Sequence, residues 1–408
     1  MTETCPAHGD RIPLYGPEFL RQPAELYREM RRAHGPVVPI RLEGDVPAWF
    51  VIGYREVHHV LSNPLVFGRD SRRWNQWDNV PEGWPLATWV AWQPSLLFTE
   101  GAQHRRRSGA ISDALIEVDQ FELRQRCEAI ADGLIDGFAG RGQAELMRDY
   151  AHPIPLLALA SVFDYPPEET PTLLRDMIAM VDGTEDGPAA HGRCLDGMRR
   201  LIERKHERPG ADVPSRLLEH PAGLTDEEIV QDLILVMTAA QRPVADWIGN
   251  SLRLMLTDDR FALSLSGGRR SVGEALNEVL WEDTPTQNYI GRWTTQATRL
   301  GGQHLAEGDL LVLGFAAANT DPQIRPDPHA GPAGNHAQLS FSHGEHRCPY
   351  PGPELAQVIA RAAVEVLLDR LPDVLLAVPA ERLEWSRSVW MRGLTGLPVQ
   401  FSPGQVSR

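Results

Sequence analysis

The stretch LTDEEIVQDLILVMTAAQRPVADWIGNSLRLMLTDD, residues 224–259, carries apolar residues at helical spacing for some thirty positions. Thr225 followed three residues later by Glu228 forms a capping box at its start. At 1.5 Å per residue, a helix over about 225–256 is a rod of roughly 45 Å, long enough to cross a whole domain. Such a helix lines something central. Helical patterns also dominate the rest of the chain: PAELYREMRRAHG closed by Gly35, YREVHHVLSN, several between about residues 102 and 206, and GEALNEVLWED. Strand-like pieces, VVPIRLEGDVPAWFVIG among them, lie towards the two ends. The pattern predicts a mainly α fold with small β-sheets. With no linker, internal repeat or low-complexity segment in 408 residues, it predicts a single domain over 1–408.

Composition narrows the function classes. A net charge of -15 argues against a general nucleic-acid binder, which needs a basic surface to neutralise phosphates. No apolar run reaches the roughly 18 residues of a membrane span. The four cysteines (Cys5, Cys127, Cys194, Cys348) are scattered without paired spacing, so no disulfide framework is expected and a reducing cytoplasm is the natural compartment.

The most informative segment is FSHGEHRCPYPGPELA, residues 341–356, where an irregular loop meets an amphipathic helix with Cys348 at the junction. A thiolate at a helix start gains from the positive end of the dipole, which lowers its pKa and makes it a metal ligand. Gly344 allows a tight turn and a close backbone approach to a flat cofactor. Two plainer readings stand beside this: a buried cysteine near surface histidines, and a zinc site from His343, His346 and Cys348, which lacks a fourth ligand at usual spacing.

Taken whole, F-x-x-G-x-H-x-C followed by a helix resembles the haem-binding signature of the cytochromes P450. The resemblance extends over nearly the whole chain, to the soluble actinobacterial branch: HRRRSGAISDAL resembles the C helix, DLILVMTAAQRPVADWIGNSL the I helix, EALNEVLWEDTPTQNYIGRW the K helix and following strand, and DPQIRPDP the start of the meander. It implies a cytochrome P450 fold, a triangular prism with the I helix over haem b and a ligand loop and proximal helix at about 341–371. Cys348 then becomes the proximal thiolate ligand of the iron. His346, Arg292 and His104 match positions that bind the haem propionates, Phe341 shields the thiolate, and Ala239 and Ala240 leave room on the distal face. The arginine expected four residues after His104 is Ser108 here, with Arg106 or Arg107 as substitutes.

Two departures bear on chemistry. The K-helix Glu-x-x-Arg appears as Glu278-Val279-Leu280-Trp281, and PDPHAG lacks the meander arginine, so two of three network partners are absent together. That fits an aromatic repacking, with Arg325 as a new partner for Glu278. In the I helix, the Ala-Gly-x-acid-Thr pattern falls on Ala239, Ala240, Gln241, Arg242 and Pro243. Neither Arg242 nor Pro243 can deliver protons as the acid and alcohol do. Pro243 also frees the carbonyl of Ala239 and kinks a plain helix. The freed carbonyl, Thr238, Gln241 or the substrate is left to organise water.

The reaction expected to survive is one-electron oxidation and radical coupling of an aromatic small molecule such as a tryptophan-containing cyclodipeptide. The alternatives are conventional hydroxylation of a natural product, a peroxygenase in which Arg242 binds a substrate carboxylate, and a non-catalytic haem scaffold. Five tryptophans between residues 74 and 92 (Trp74, Trp77, Trp84, Trp89, Trp92) suggest, as a set, a pocket for flat rings. The chain has no flavin or iron-sulfur motif, so electrons come from NAD(P)H through a ferredoxin reductase and a small acidic ferredoxin. The ferredoxin is expected to dock on a basic patch around Arg105, Arg106 and Arg347.

Overall fold

The computed structural model describes residues 11–16, 19, 23–181, 185–258, 272–325 and 335–404. The predicted long helix is its axis. It spans Asp226–Thr257, 32 residues, which is about 48 Å. The capping box is present: Thr225 Oγ1 accepts from the Glu228 N–H and a Glu228 carboxylate oxygen accepts from the Thr225 N–H at 2.9 Å. The helix continues through Pro243 as one element. The helices Pro153–Val162, Gly187–Glu207, Val272–Glu282 and Gly352–Arg370 pack against it. Their apolar faces form one helical core that runs from Leu96 to Phe401.

The chain is mainly α with small sheets, as the patterning predicts. VVPIRL and VPAWFV pair as an antiparallel hairpin, Val37 opposite Val51 and Leu42 opposite Val46, turning through Gly44 at φ 80°. Beyond it, Leu310–Gly314 runs parallel to Val46–Val51 and antiparallel to Asn288–Thr294, inside a six-stranded sheet. All five residues of Leu310–Gly314 are buried, as for a central strand. The register of Asn288–Thr294 slips by one residue between Ile290 and Arg292, a β-bulge at Gly291 where φ is 98°.

The K-helix departure is repacked by an aromatic. Trp281 is 1% exposed, and its indole N–H donates to the carbonyl of Asn335 at 2.9 Å, which also accepts from the Asn277 amide. The guanidinium of Arg325 lies 5.4 Å from the Trp281 ring centre and donates to Glu282 at 2.5 Å. Glu282, one helical turn beyond the expected Glu278 and so on the same side of the helix, is an acid on Arg325. The PDPHAG segment, 326–331, lies outside the described residues.

Candidate haem-thiolate site

The loop 341–351 closes on itself before the helix Gly352–Arg370: the Cys348 N–H donates to the Phe341 carbonyl at 3.1 Å and the Gly352 N–H to the Pro349 carbonyl at 2.7 Å. Cys348 is half-buried, and a methyl group on Gly352 would sit 2.9 Å from its sulfur, so glycine is what lets the helix start there. Phe341 sets its ring edge-on to Trp247 of the long helix at 5.9 Å, tying loop to helix. Gly344 adopts φ 75°, and a Cβ there would lie 2.3 Å from the Leu61 carbonyl, so the turn packs closely on that segment. Burial, with Glu354 nearby, pushes the Cys348 thiol up to about 12. A thiolate here needs a cation bound to it.

The zinc reading fails on geometry, because the two histidines of the loop diverge. His343 stacks outward on His58, with ring centres 4.3 Å apart, whereas His346 stacks inward on His104 at 4.0 Å.

Around His346 the fold gathers buried hydrogen-bond donors, two guanidiniums among them. Arg292 is fully buried, directed inward by the bulge, with one Nη donating to the Gly291 carbonyl at 2.9 Å and with Nε and the other Nη unpartnered. Neither ring nitrogen of His346 has a partner. His104 reaches Thr99 Oγ1 at 3.4 Å and the Glu345 carbonyl at 3.2 Å. Arg69, 3% exposed, completes the group. Burial lowers the pKa of Arg292 to about 9, with Arg69 adding repulsion. Burial likewise lowers His346 and His104. Among the described residues, no carboxylate forms an ion pair with Arg69 or Arg292. Unpartnered buried donors without an anion are costly, and a ligand with two carboxylates would relieve that cost. A thiol on one side and a dianion cradle on the other fit haem: Cys348 would take the iron, and Arg292, His346 and His104 would face the propionates.

Comparison with known proteins agrees with this geometry. No protein-family model matches the chain. The solved structure of CYP154C4 from Streptomyces sp. ATCC 11861 superposes with a TM-score of 0.85 at 26% identity, covering 97% of this chain and 99% of its own. The cytochrome P450 monooxygenase PikC of Streptomyces venezuelae is 28% identical over 404 residues, 96% of this chain and 94% of PikC. The chain belongs to the cytochrome P450 superfamily. It is an oxidoreductase of the monooxygenase class with haem b as cofactor, a small-molecule substrate and electrons supplied by redox partners. Biflaviolin synthase of Streptomyces coelicolor is another relative, 29% identical over 400 residues, 96% of this chain and 95% of the synthase.

In this cytochrome P450 one face of the I helix is uncovered near its middle. Ala239 is exposed at the middle of the helix, and Leu235, Val236, Ala240 and Pro243 are half-buried around it, as a spacing of three to four residues requires. Gln241, two residues from Ala239, points to the opposite side and is 1% exposed, with its side-chain oxygen unpartnered. The Thr238 hydroxyl is turned onto its own helix, at 3.0 Å from the carbonyls of Ile234 and Leu235. Arg242 donates from Nε to both oxygens of Asp246, at 3.0 and 2.9 Å. Asp246 is fully buried, and a methyl group on Gly393 would lie 1.9 Å from its carboxylate. The sequence reading missed this partner, although an acid four residues after an arginine was visible in RPVAD. It missed Arg69 too, one arginine among three in GRDSRR with nothing local to single it out.

Arg106 and Arg107 do not substitute for the arginine absent at 108. Arg106 donates to Glu228, and Arg107, 2% exposed, forks onto Asp232, both on the first turns of the I helix. The tryptophans do not form one wall either. Trp74, Trp77 and Trp84 pack together in the core beside the sheet, with ring centres of 4.9 Å between Trp74 and Trp77 and 5.8 Å between Trp74 and Trp84. Trp89 and Trp92 are 37% and 40% exposed, and Arg72 lies over Trp92 at 4.6 Å. Large rings in an irregular segment went to core packing because they bury the most apolar area. Of the basic patch, Arg105 and Arg347 remain exposed, Arg105 facing Glu345 at 3.4 Å, while Arg106 is drawn away to Glu228.

Proposed function

We propose that this cytochrome P450 couples an aromatic small molecule of secondary metabolism by one-electron oxidation, with the substrate's own N–H or O–H groups supplying protons. Haem, when bound, supplies oxygen activation and one-electron oxidising power. The observation that carries the reading is the distal wall. Around exposed Ala239 stand Ala240 and Pro243, which offer no acid and no hydroxyl, and half-buried Thr238 and Arg242, whose hydroxyl is bonded to its own helix and whose guanidinium is on Asp246, respectively. The nearest acid on that helix, Asp246, is bonded to Arg242 and sealed by Gly393. A carboxylate held by a guanidinium is a poor proton donor, and a guanidinium does not give up its proton in the physiological range. Any oxidation driven by O2 needs protons for O–O cleavage, and a coupling substrate whose N–H or O–H groups reach the site would supply them in place of the relay.

The pairing of Arg242 with Asp246 also speaks against the peroxygenase reading, since a substrate carboxylate would compete with one already in place. The relative named biflaviolin synthase fits a coupling chemistry on this scaffold, and a tryptophan-containing cyclodipeptide remains our specific substrate class. Hydroxylation through ordered water is the second reading, favoured by the relative named a monooxygenase. A ferredoxin docking beside Arg105 and Arg347 is the electron donor we expect, and the cytoplasm the compartment. Incubating candidate aromatics with the enzyme and a surrogate ferredoxin system, then measuring product mass, separates the readings. A dimer or adduct mass short of two hydrogens supports coupling, and a gain of one oxygen overturns it.

A further inference from the structure

Building on the haem-thiolate reading, we propose that Arg69 is the positioning residue that sets Arg292 for the haem propionates, in place of the arginine absent from position 108. The case starts at the β-bulge. An extra residue at Gly291 breaks the register with Leu310–Gly314 between the pairs Ile290–Val312 and Arg292–Leu311. A carbonyl left without a donor at such a break in a buried strand would be costly. Arg69 binds the two carbonyls at the break: one Nη donates to Ile290 O at 3.1 Å and to Gly291 O at 2.9 Å. Its Nε donates to Leu97 O at 2.8 Å, and the second Nη to the Tyr289 hydroxyl at 3.0 Å. One planar fork therefore pins three chain segments, at residues 69, 97 and 289–291, and a lysine cannot reproduce that spread.

The Gly291 carbonyl is shared. It accepts from Arg69 and also from Arg292, whose Nε and remaining Nη are left pointing into the cradle beside His346. Arg69 thus fixes the direction of Arg292 through a common acceptor. It also adds a second buried positive charge that no carboxylate balances among the described residues. The nearest acid, Glu100, accepts the backbone N–H of Arg69 but spends its charge on Arg73, at 2.5 Å. Two unbalanced guanidiniums side by side repel each other until a dianion enters, which converts repulsion into affinity. Ser108, half-buried one turn after His104, carries no charge to contribute.

The test uses the intact holoenzyme and two variants, Arg69→Lys, which keeps the charge but not the fork, and Arg69→Gln, which loses both. Three quantities are measured: the rate of haem transfer to excess apomyoglobin, the haem reduction potential, and the thermal midpoint of the haem-free protein. Both variants should release haem at least about tenfold faster than the parent. Arg69→Gln alone should show a clearly more negative potential, because only it removes a positive charge near the cofactor. Parental release rates in both variants overturn the proposal. So does faster release matched by an equal fall in haem-free stability with the potential unmoved, the signature of a staple that only holds the sheet. The carbon monoxide spectrum of the reduced parent separates the two levels: without a band near 450 nm the haem-thiolate reading itself fails, whereas with it the variants report on Arg69 alone.

Discussion

Replacing Asp246 by Asn tests whether the Arg242–Asp246 pair is a self-neutralising unit inside the I helix. The substitution keeps the shape under Gly393, so no cavity or clash is added. It removes the Asp246 charge from beside the Arg242 guanidinium, in a site where Asp246 has 0% and Arg242 14% side-chain exposure. Removing one member of a buried ion pair costs about 3–5 kcal/mol. The residual exposure of Arg242 admits some water, so about 2–4 kcal/mol is expected, read as loss of unfolding free energy in urea. The reverse variant, Arg242→Gln, takes the guanidinium away from a buried carboxylate that can take up a proton. Its folded pKa then rises above the unfolded value of about 3.9, so its penalty is small at low pH and grows as pH rises through the folded pKa. The Arg242→Gln deficit should therefore be larger at pH 8 than at pH 5, while the Asp246→Asn deficit should change little. The double variant carries neither charge and should recover at least about 1.5 kcal/mol relative to the sum of the singles. Additivity to within about 0.5 kcal/mol would refute the reasoning, for the two charges would then be held by other partners.

Other outcomes follow from the same contacts. Trp281→Phe removes the indole donor to the Asn335 carbonyl and should cost about 1–2 kcal/mol, whereas Trp281→Arg, which restores the family motif, should cost more, about 3 kcal/mol, because it buries a second cation beside Arg325; urea unfolding ranks the two. Gly344→Ala forces a side chain into φ 75° and against the Leu61 carbonyl and should lower haem incorporation on expression, read as the ratio of Soret to protein absorbance. Burial, and then the charge of Arg242, lowers His152 to about 4 from its ordinary value near 6.5. Stability from the neutral imidazole is complete above pH 6.5 and lost as pH falls towards 4, up to about 3 kcal/mol; His152→Gln should flatten that stretch of the stability curve.

The parts of this molecule that a reader of the sequence can reach are those written in local spacing. The I helix announces itself through period and capping box. The hairpin 37–51 shows in two β-branched runs around Gly44, and the ligand loop in a glycine, a histidine and a cysteine at fixed offsets. What escapes is written across distance. Arg69 acts on residues 28 and more than 220 positions away, and no local pattern marks it. The helix start beside Cys348 can be read from sequence, whereas the burial that raises its thiol cannot. The tryptophans between 74 and 92 were read as a pocket because composition does not distinguish a core from a cleft.

Three departures from the superfamily pattern can be weighed by what the fold does about each. At position 281 the lost arginine leaves a meander contact to be made, and Trp281 makes it through Asn335. At position 108 the lost arginine leaves a cofactor charge to be supplied, and Arg69 stands in the cradle with it. In both cases another group does the job of the missing one, so haem binding is expected to survive. Positions 242 and 243 differ. Asp246 is bonded to Arg242 and covered by Gly393, so it brings no acidic proton to the exposed face at Ala239, and Pro243 offers no hydroxyl. The frame that holds the cofactor has been rebuilt, while the proton relay has not. That asymmetry points to a changed reaction on an intact haem site, and it makes product mass, more than haem content, the measurement on which the functional reading stands.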